Sequence, residues 1–149
     1  MKVILVCGSP GSGKSYYVKK NKLKDDIVID IDSLYYALTY LPLYQKPKSV
    51  LKYISSAKEA VFKEITEDQS GSTAWIITCG ARAESRQRFK DRFNARVIIL
   101  ETPVNKCLEH ISSDETRSIK SRSDWKEAVL KWHSMYELIQ TDEVISWKE

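Results

Sequence analysis

Eight residues near the start of the chain, Gly8-Ser9-Pro10-Gly11-Ser12-Gly13-Lys14-Ser15, restrict what the rest can become. They follow an unbroken apolar run, Val3 to Cys7, and lead into a stretch, Ser15 to about Lys22, that reads as a helix. An apolar run without alternation fits a parallel strand covered on both faces. The glycines let the backbone turn sharply with no Cβ in the way. The amides from Gly11 to Ser15 are then free to point inward at an anion, and the helix starting near Lys14 adds its positive end. The spacing G-x-x-x-x-G-K-[ST] is that of a phosphate cradle. In it Lys14 meets the β- and γ-phosphates as a point charge, and the Ser15 hydroxyl ligates Mg²⁺. Tyr16, next in the chain, is placed with Gly8 to Ser15 on the nucleotide side. The expected ligand is ATP or GTP with Mg²⁺. The plainer alternative is a tight strand–helix turn.

A buried parallel strand needs parallel neighbours, and the sequence offers them. "IVIDI" (27–31), "AWIITC" (74–79) and "ARVIIL" (95–100) are short apolar runs, and "EVISW" (143–147) is a candidate small fifth strand. Between them lie helical stretches expected from near Ser33, over Ser49 to Asp68, Ala83 to Phe93, Val104 to His110 and Trp125 to Ile139. Strand and helix alternate along the chain. That order predicts an α/β fold: a P-loop three-layer sandwich with a mostly parallel sheet of four to five strands, helices on both faces and a small lid. Ligands in such sheets sit at the carboxyl ends of the strands.

Composition agrees and excludes alternatives. With 149 residues, 42% hydrophobic and 30% charged, the expectation is one domain, 1–149, with no linker. A net charge of +4 suits a phosphate-rich partner. The three cysteines, Cys7, Cys79 and Cys107, have no metal-binding spacing; Cys7 and Cys79 read as buried thiols of a reducing compartment. Two histidines argue against zinc. No apolar run reaches membrane length, so no membrane partner and a cytoplasmic location are expected.

Asp30 and Asp32 follow the second strand in "VIDIDS". On an extended segment, i and i+2 face one side, which would aim both carboxylates into the cleft beside the phosphate loop. A phosphoryl transferase acting on an alcohol gains from a carboxylate that orients the hydroxyl and takes its proton. Asp32 is the candidate base, and Asp30 a brace for the loop or for a Mg²⁺-bound water. The alternative for Asp32 is a helix cap. The third strand ends in Thr78 and Cys79, without the acid that many phosphate-loop hydrolases carry there. That absence favours a small kinase over a motor or switch.

"GARAESRQRFKDRFNAR" contains six basic residues. Arg82 and Arg86, one helical turn apart, are candidate grips on an acceptor phosphate. Arg88, Lys90 and Arg92 read as a solvated face. A polar stretch, roughly 111–125, has the look of a lid over the nucleotide. Arg117 is the residue expected to neutralise charge on the transferred phosphoryl group, with Arg122 second. His133 reads as packing or surface.

The segments "VILVCGSPGSGKSYYVKK", "VIDIDSLYY", "IITCGARAESRQRF" and "CLEHISSDETR" together resemble the small phage-borne P-loop kinase-like proteins related to the kinase domain of bacteriophage polynucleotide 5′-hydroxyl kinase. The resemblance implies phosphoryl transfer from ATP or GTP to a hydroxyl or phosphate of a nucleotide or nucleic-acid end. It implies Asp32 as general base and Arg117 as the lid arginine. Near the point where better-known members carry an arginine beside the acceptor phosphate, this chain has Tyr35. Two other functions stay open: a kinase of a nucleoside, nucleotide or other small metabolite, and a nucleotide-binding phage accessory protein that hydrolyses slowly or not at all.

Overall fold

The computed structural model describes residues 1–148. Its strands are β1 (Lys2–Gly8), β2 (Ile27–Asp30), β3 (Thr73–Thr78), β4 (Arg96–Glu101) and β5 (Glu143–Ser146). Its α-helices are α1 (Lys14–Asn21), α2 (Ile31–Thr39), α3 (Leu51–Glu67), α4 (Ala83–Phe93), α5 (Val104–Ser113) and α6 (Arg122–Met135). Two 3₁₀ turns, Lys48–Val50 and Glu115–Ile119, precede α3 and α6.

The five strands form one sheet in the order β2-β3-β1-β4-β5, with every pairing parallel. The central strand, β1, explains the unbroken apolar run. Val3, Leu5 and Cys7 pack into a core with Phe62 and Ile65 of α3, Phe89 and Phe93 of α4, and Trp132 of α6. On the opposite face Ile4 and Val6 meet Tyr17 and Val18 of α1. Burial on both faces removes any reason for polar alternation. A third cluster joins Cys107 and Ile111 of α5 to Trp125 and Val129 of α6. The short fifth strand is present and extends the sheet beyond β4.

Three expectations require correction. Helix α2 starts at Ile31, directly after β2, so Asp32 stands in its first turn and not on an extended segment. The residue that caps α2 is Asp30, whose side chain accepts from the Asp32 amide at 3.1 Å and the Ser33 hydroxyl at 3.1 Å. Cys79 is exposed, while Cys7 and Cys107 are buried; loss of hydration pushes the Cys7 thiol up to about 12, which keeps it an unreactive core group.

Among the described residues no helix is long and apolar enough to cross a membrane.

Candidate functional site

A cavity of about 880 Å³ opens where β1, β2 and β3 end, beneath the connection from α5 to α6. Its floor is the loop from Pro10 to Ser15, continuing to Tyr16. Gly8 and Ser9 lie just behind it, Ser9 fully enclosed.

The loop has its shape because of what it packs against. Gly11 has φ +75°, and a Cβ there would sit 2.4 Å from the Cys107 carbonyl oxygen of α5. Only glycine permits that approach. Gly13, at φ +92°, stands at the start of α1. Buried Thr102 donates to the Ser12 carbonyl at 2.9 Å, and His110 Nδ1 lies 2.7 Å from the Gly11 carbonyl. The loop is thus held from behind by Thr102, just past β4, and by α5, and it is closed on itself by the Ser12 amide, which donates to the Ser9 carbonyl at 3.1 Å. The Ser12 hydroxyl is buried without a hydrogen-bond partner among the described residues, an orphan of the kind a loop awaiting an anion retains.

Lys14 folds over this loop. Its Nζ donates to the carbonyls of Gly8 and Ser9, both at 2.8 Å, which leaves one of the three ammonium N–H groups unassigned. Burial pulls its pKa below the ordinary lysine value. An anion arriving on the loop would reverse part of that cost.

Across the cavity stand Asp30 and Asp32. Burial, and after it the neighbouring charge of Asp32, raises the Asp30 pKa. Lys46 Nζ approaches Asp32 Oδ1 to 3.1 Å. That oxygen is buried and its contact with Lys46 is one of charge, without hydrogen-bonding geometry.

Arg117, from the 3₁₀ turn in the lid segment, also lines the cavity. Its guanidinium is 4.5 Å from the Tyr44 ring centroid and 4.7 Å from that of Trp125, and its Nε donates to Asp114 at 3.3 Å. Two aromatic faces and one carboxylate fix its position while leaving N–H donors for phosphate. The stretch that carries Arg117 is a structured 3₁₀ turn, Glu115–Ile119, capped by Asp114.

Magnesium takes oxygen ligands and retains several waters. The Ser15 hydroxyl and the Asp30 and Asp32 carboxylates, all on the cavity wall, are such donors. Among the described residues no group of three or more acids, histidines or cysteines would hold a metal alone. The residues fit an ion carried largely by the nucleotide's phosphates.

Besides Gly8 and Ser9 behind the loop, four sequence-derived candidates are not part of this wall. Arg86 is fully buried: its guanidinium donates to Asp142 at 2.7 Å, to the Gly80 and Ala81 carbonyls at 2.7 and 2.9 Å, and to the Glu137 carbonyl. It pins the segment before β5 to the start of α4 and has no reach to an acceptor. Tyr35 is the one buried residue of α2 and points away from the cavity into the protein. Arg82 is exposed at the start of α4, and Arg122 is exposed at the start of α6; neither lines the cavity.

Sequence reading missed Tyr44, Lys46, His110, Lys120, Trp125 and Trp147 on the wall. His110 and Trp147 come together with ring centroids 5.1 Å apart, an aromatic edge beside the loop. The polar setting of Lys46 and Lys120 gave no local signal, since their importance lies in what the chain brings opposite them.

No protein-family model matches the chain, and no curated protein sequence does. Solved structures do match in fold. One chain of the "Pnkp1/Rnl/Hen1 RNA repair complex" superposes with a TM-score of 0.68 at 15% identity over 90% of this chain. This chain spans 44% of that one. A gluconokinase from Sinorhizobium meliloti 1021 matches at TM-score 0.58 and 13% identity, covering 97% of this chain and 82% of its own. A shikimate kinase from Acinetobacter baumannii, in complex with shikimate, matches at 0.57 and 16%, covering 100% and 85%. The likeness is one of fold, the P-loop kinase-like α/β sandwich.

Proposed function

We propose that this chain is a nucleoside-triphosphate-dependent phosphotransferase that moves the γ-phosphoryl group of ATP or GTP to the 5′-hydroxyl of a nucleic-acid end. One observation carries the proposal: a phosphate loop with its lysine and a carboxylate with an unbonded buried oxygen, Asp32, line the same cavity. Loop amides and Lys14 hold the triphosphate, and Ser15 is the protein's ligand to its magnesium. Asp32 orients the acceptor hydroxyl and takes its proton as the new O–P bond forms and the bond to the β-phosphate oxygen breaks. Arg117 neutralises charge on the phosphoryl group in transit. Magnesium, if held by the Ser15 hydroxyl with Asp30 or Asp32 nearby, would add further neutralisation of phosphate charge. The whole chain is taken as one domain, with 111–125 as its lid.

A small-metabolite kinase is the second reading. The cavity volume is in the range of small-ligand sites, and two of the fold neighbours are named as gluconokinase and shikimate kinase.

The test is transfer of radiolabelled γ-phosphate to 5′-hydroxyl DNA and RNA, nucleosides, nucleoside monophosphates and sugar acids, with water as control acceptor. Label on the oligonucleotide end supports the first proposal, and label only on a small acceptor selects the second. Slow phosphate release alone would overturn both and leave a nucleotide-binding accessory protein.

A further inference from the structure

From Ser33 to Lys58 the chain has no aspartate or glutamate, although it carries 20 elsewhere. The same segment holds five of its eight tyrosines, Tyr35, Tyr36, Tyr40, Tyr44 and Tyr53, and the lysines Lys46, Lys48, Lys52 and Lys58. It forms α2, the loop that follows, and the start of α3, and it runs from the cavity outward.

Its inner end is in the site: Tyr44 and Lys46 line the cavity together with Asp32, the residue just before the segment. The outer part is open. Asp32 and Tyr36 stand at i+4 spacing on α2, and Tyr40 follows as the helix's left-handed C-cap. Tyr36 is 49% and Tyr40 83% exposed, and their rings meet edge-on at 6.1 Å. Tyr53 is 59% exposed, with Lys52 Nζ 4.8 Å from its ring centroid. Lys48 and Lys52 are exposed as well. Tyr40 and Tyr44 have φ of +56° and +71°, two of the three non-glycine residues with positive φ among those described. Bulky residues seldom adopt that conformation without another constraint.

Exposed tyrosines among lysines, with acids excluded, are what a single strand of nucleic acid requires: aromatic faces for its bases and cations for its backbone. Leu38 and Leu51 are exposed on this segment too, but an apolar protein partner would not call for its one-signed charge, and a small acceptor would not extend beyond the cavity. We infer that the α2–α3 segment is a track for single-stranded nucleic acid. The terminal hydroxyl sits at Asp32, Lys46 meets the first backbone phosphate in place of its contact with Asp32, and the following bases stack on Tyr36 and Tyr40. Lys48 and Lys52 add backbone charge. This rests on the proposed phosphotransfer for the role of the hydroxyl end, but the binding itself is independent of it.

The experiment uses the full chain and a short single-stranded 5′-hydroxyl oligonucleotide, labelled with fluorescein at its 3′ end, in an anisotropy titration at several salt concentrations. Tyr36→Ala with Tyr40→Ala should weaken binding by about tenfold or more, and Tyr36→Phe with Tyr40→Phe should restore it, since stacking needs the ring and not the hydroxyl. Lys48→Ala with Lys52→Ala should reduce the salt dependence by roughly 0.7 for each lost phosphate contact. Circular dichroism melting confirms that the exposed substitutions leave the fold intact. Equal oligonucleotide affinity in wild type and the tyrosine pair would overturn the track, even if phosphate transfer to oligonucleotides were found. Tyrosine-dependent binding without any transfer would sustain the track and sink the phosphotransfer proposal. Self-association abolished by the same substitutions, with no oligonucleotide bound, would mark the face as a protein interface and overturn the track.

Discussion

Lys46 and Asp32 face each other at 3.1 Å across the wall of the cavity, yet no hydrogen bond satisfies the buried carboxylate oxygen between them. The ammonium holds the acid by charge alone and, being 40% exposed, can leave it cheaply. Lys46→Met should therefore leave triphosphate binding unaltered and raise KM for an acceptor that bears a phosphate next to its hydroxyl. Steady-state kinetics with nucleosides and nucleoside 3′-monophosphates distinguish the cases. Equal KM increases for both would show that Lys46 does not select for the anion.

Lys14→Ala should abolish triphosphate binding measurable by calorimetry with magnesium present. The ammonium already sits on the Gly8 and Ser9 carbonyls, so its removal takes both the charge and a brace of the loop. Undiminished heats of association with ATP and GTP would contradict the assignment of this loop.

Asp32→Asn should keep triphosphate binding and reduce transfer about 10²–10⁴-fold, the usual weight of a general base. Single-turnover transfer measured beside ATP affinity separates the two effects. An unchanged rate would move the proton to another acceptor.

Gly11→Ala should distort the loop, because the added Cβ would meet the Cys107 carbonyl oxygen at 2.4 Å and force a side chain onto φ +75°. The strain is about 1–3 kcal/mol. Reduced ATP affinity together with a lower melting temperature is the expected result.

Arg86→Ala should be the most destabilising single change considered, by about 3–5 kcal/mol, since it takes one of two cations from a fully buried Asp142, leaving Lys90, and unpairs the Gly80, Ala81 and Glu137 carbonyls. For Asp142, burial raises the pKa, but hydrogen bonds from Lys90 and Arg86 and their charges outweigh it and hold the group below the ordinary carboxylate value. A depressed folded-state pKa contributes stability that is complete above the unfolded value, about 4, and is lost as pH falls through the folded one. Acid denaturation followed by circular dichroism should thus begin below about pH 4 and shift when Lys90 is replaced by Met.

What could be foreseen from the sequence depended on distance along the chain. β1, the phosphate loop and α1 are adjacent, so local rules of glycine, apolar run and helix start were enough. The same holds for the other strands, each an apolar run that pairs in parallel. Arg86 was misjudged because its partner, Asp142, is 56 residues away, and nothing near Arg86 announces a buried carboxylate. Tyr35 was misjudged because α2 begins two residues earlier than expected, which turns Tyr35 inward and its neighbour Tyr36 outward. Lys46 and His110 acquire meaning only once α2 and α5 are placed against the loop.

Helix α5 touches the loop twice, through the Cys107 carbonyl behind Gly11 and through His110 on the Gly11 carbonyl, and then continues into the turn that carries Arg117. A single lever thus has its fulcrum under the phosphates and its tip above them. From Cys107 to the end of the helix at Ser113 is about two turns, so the Gly11 peptide and the turn carrying Arg117 share one short rigid element. On the proposed reading, a donor seated on this loop would position Arg117 before any acceptor arrives.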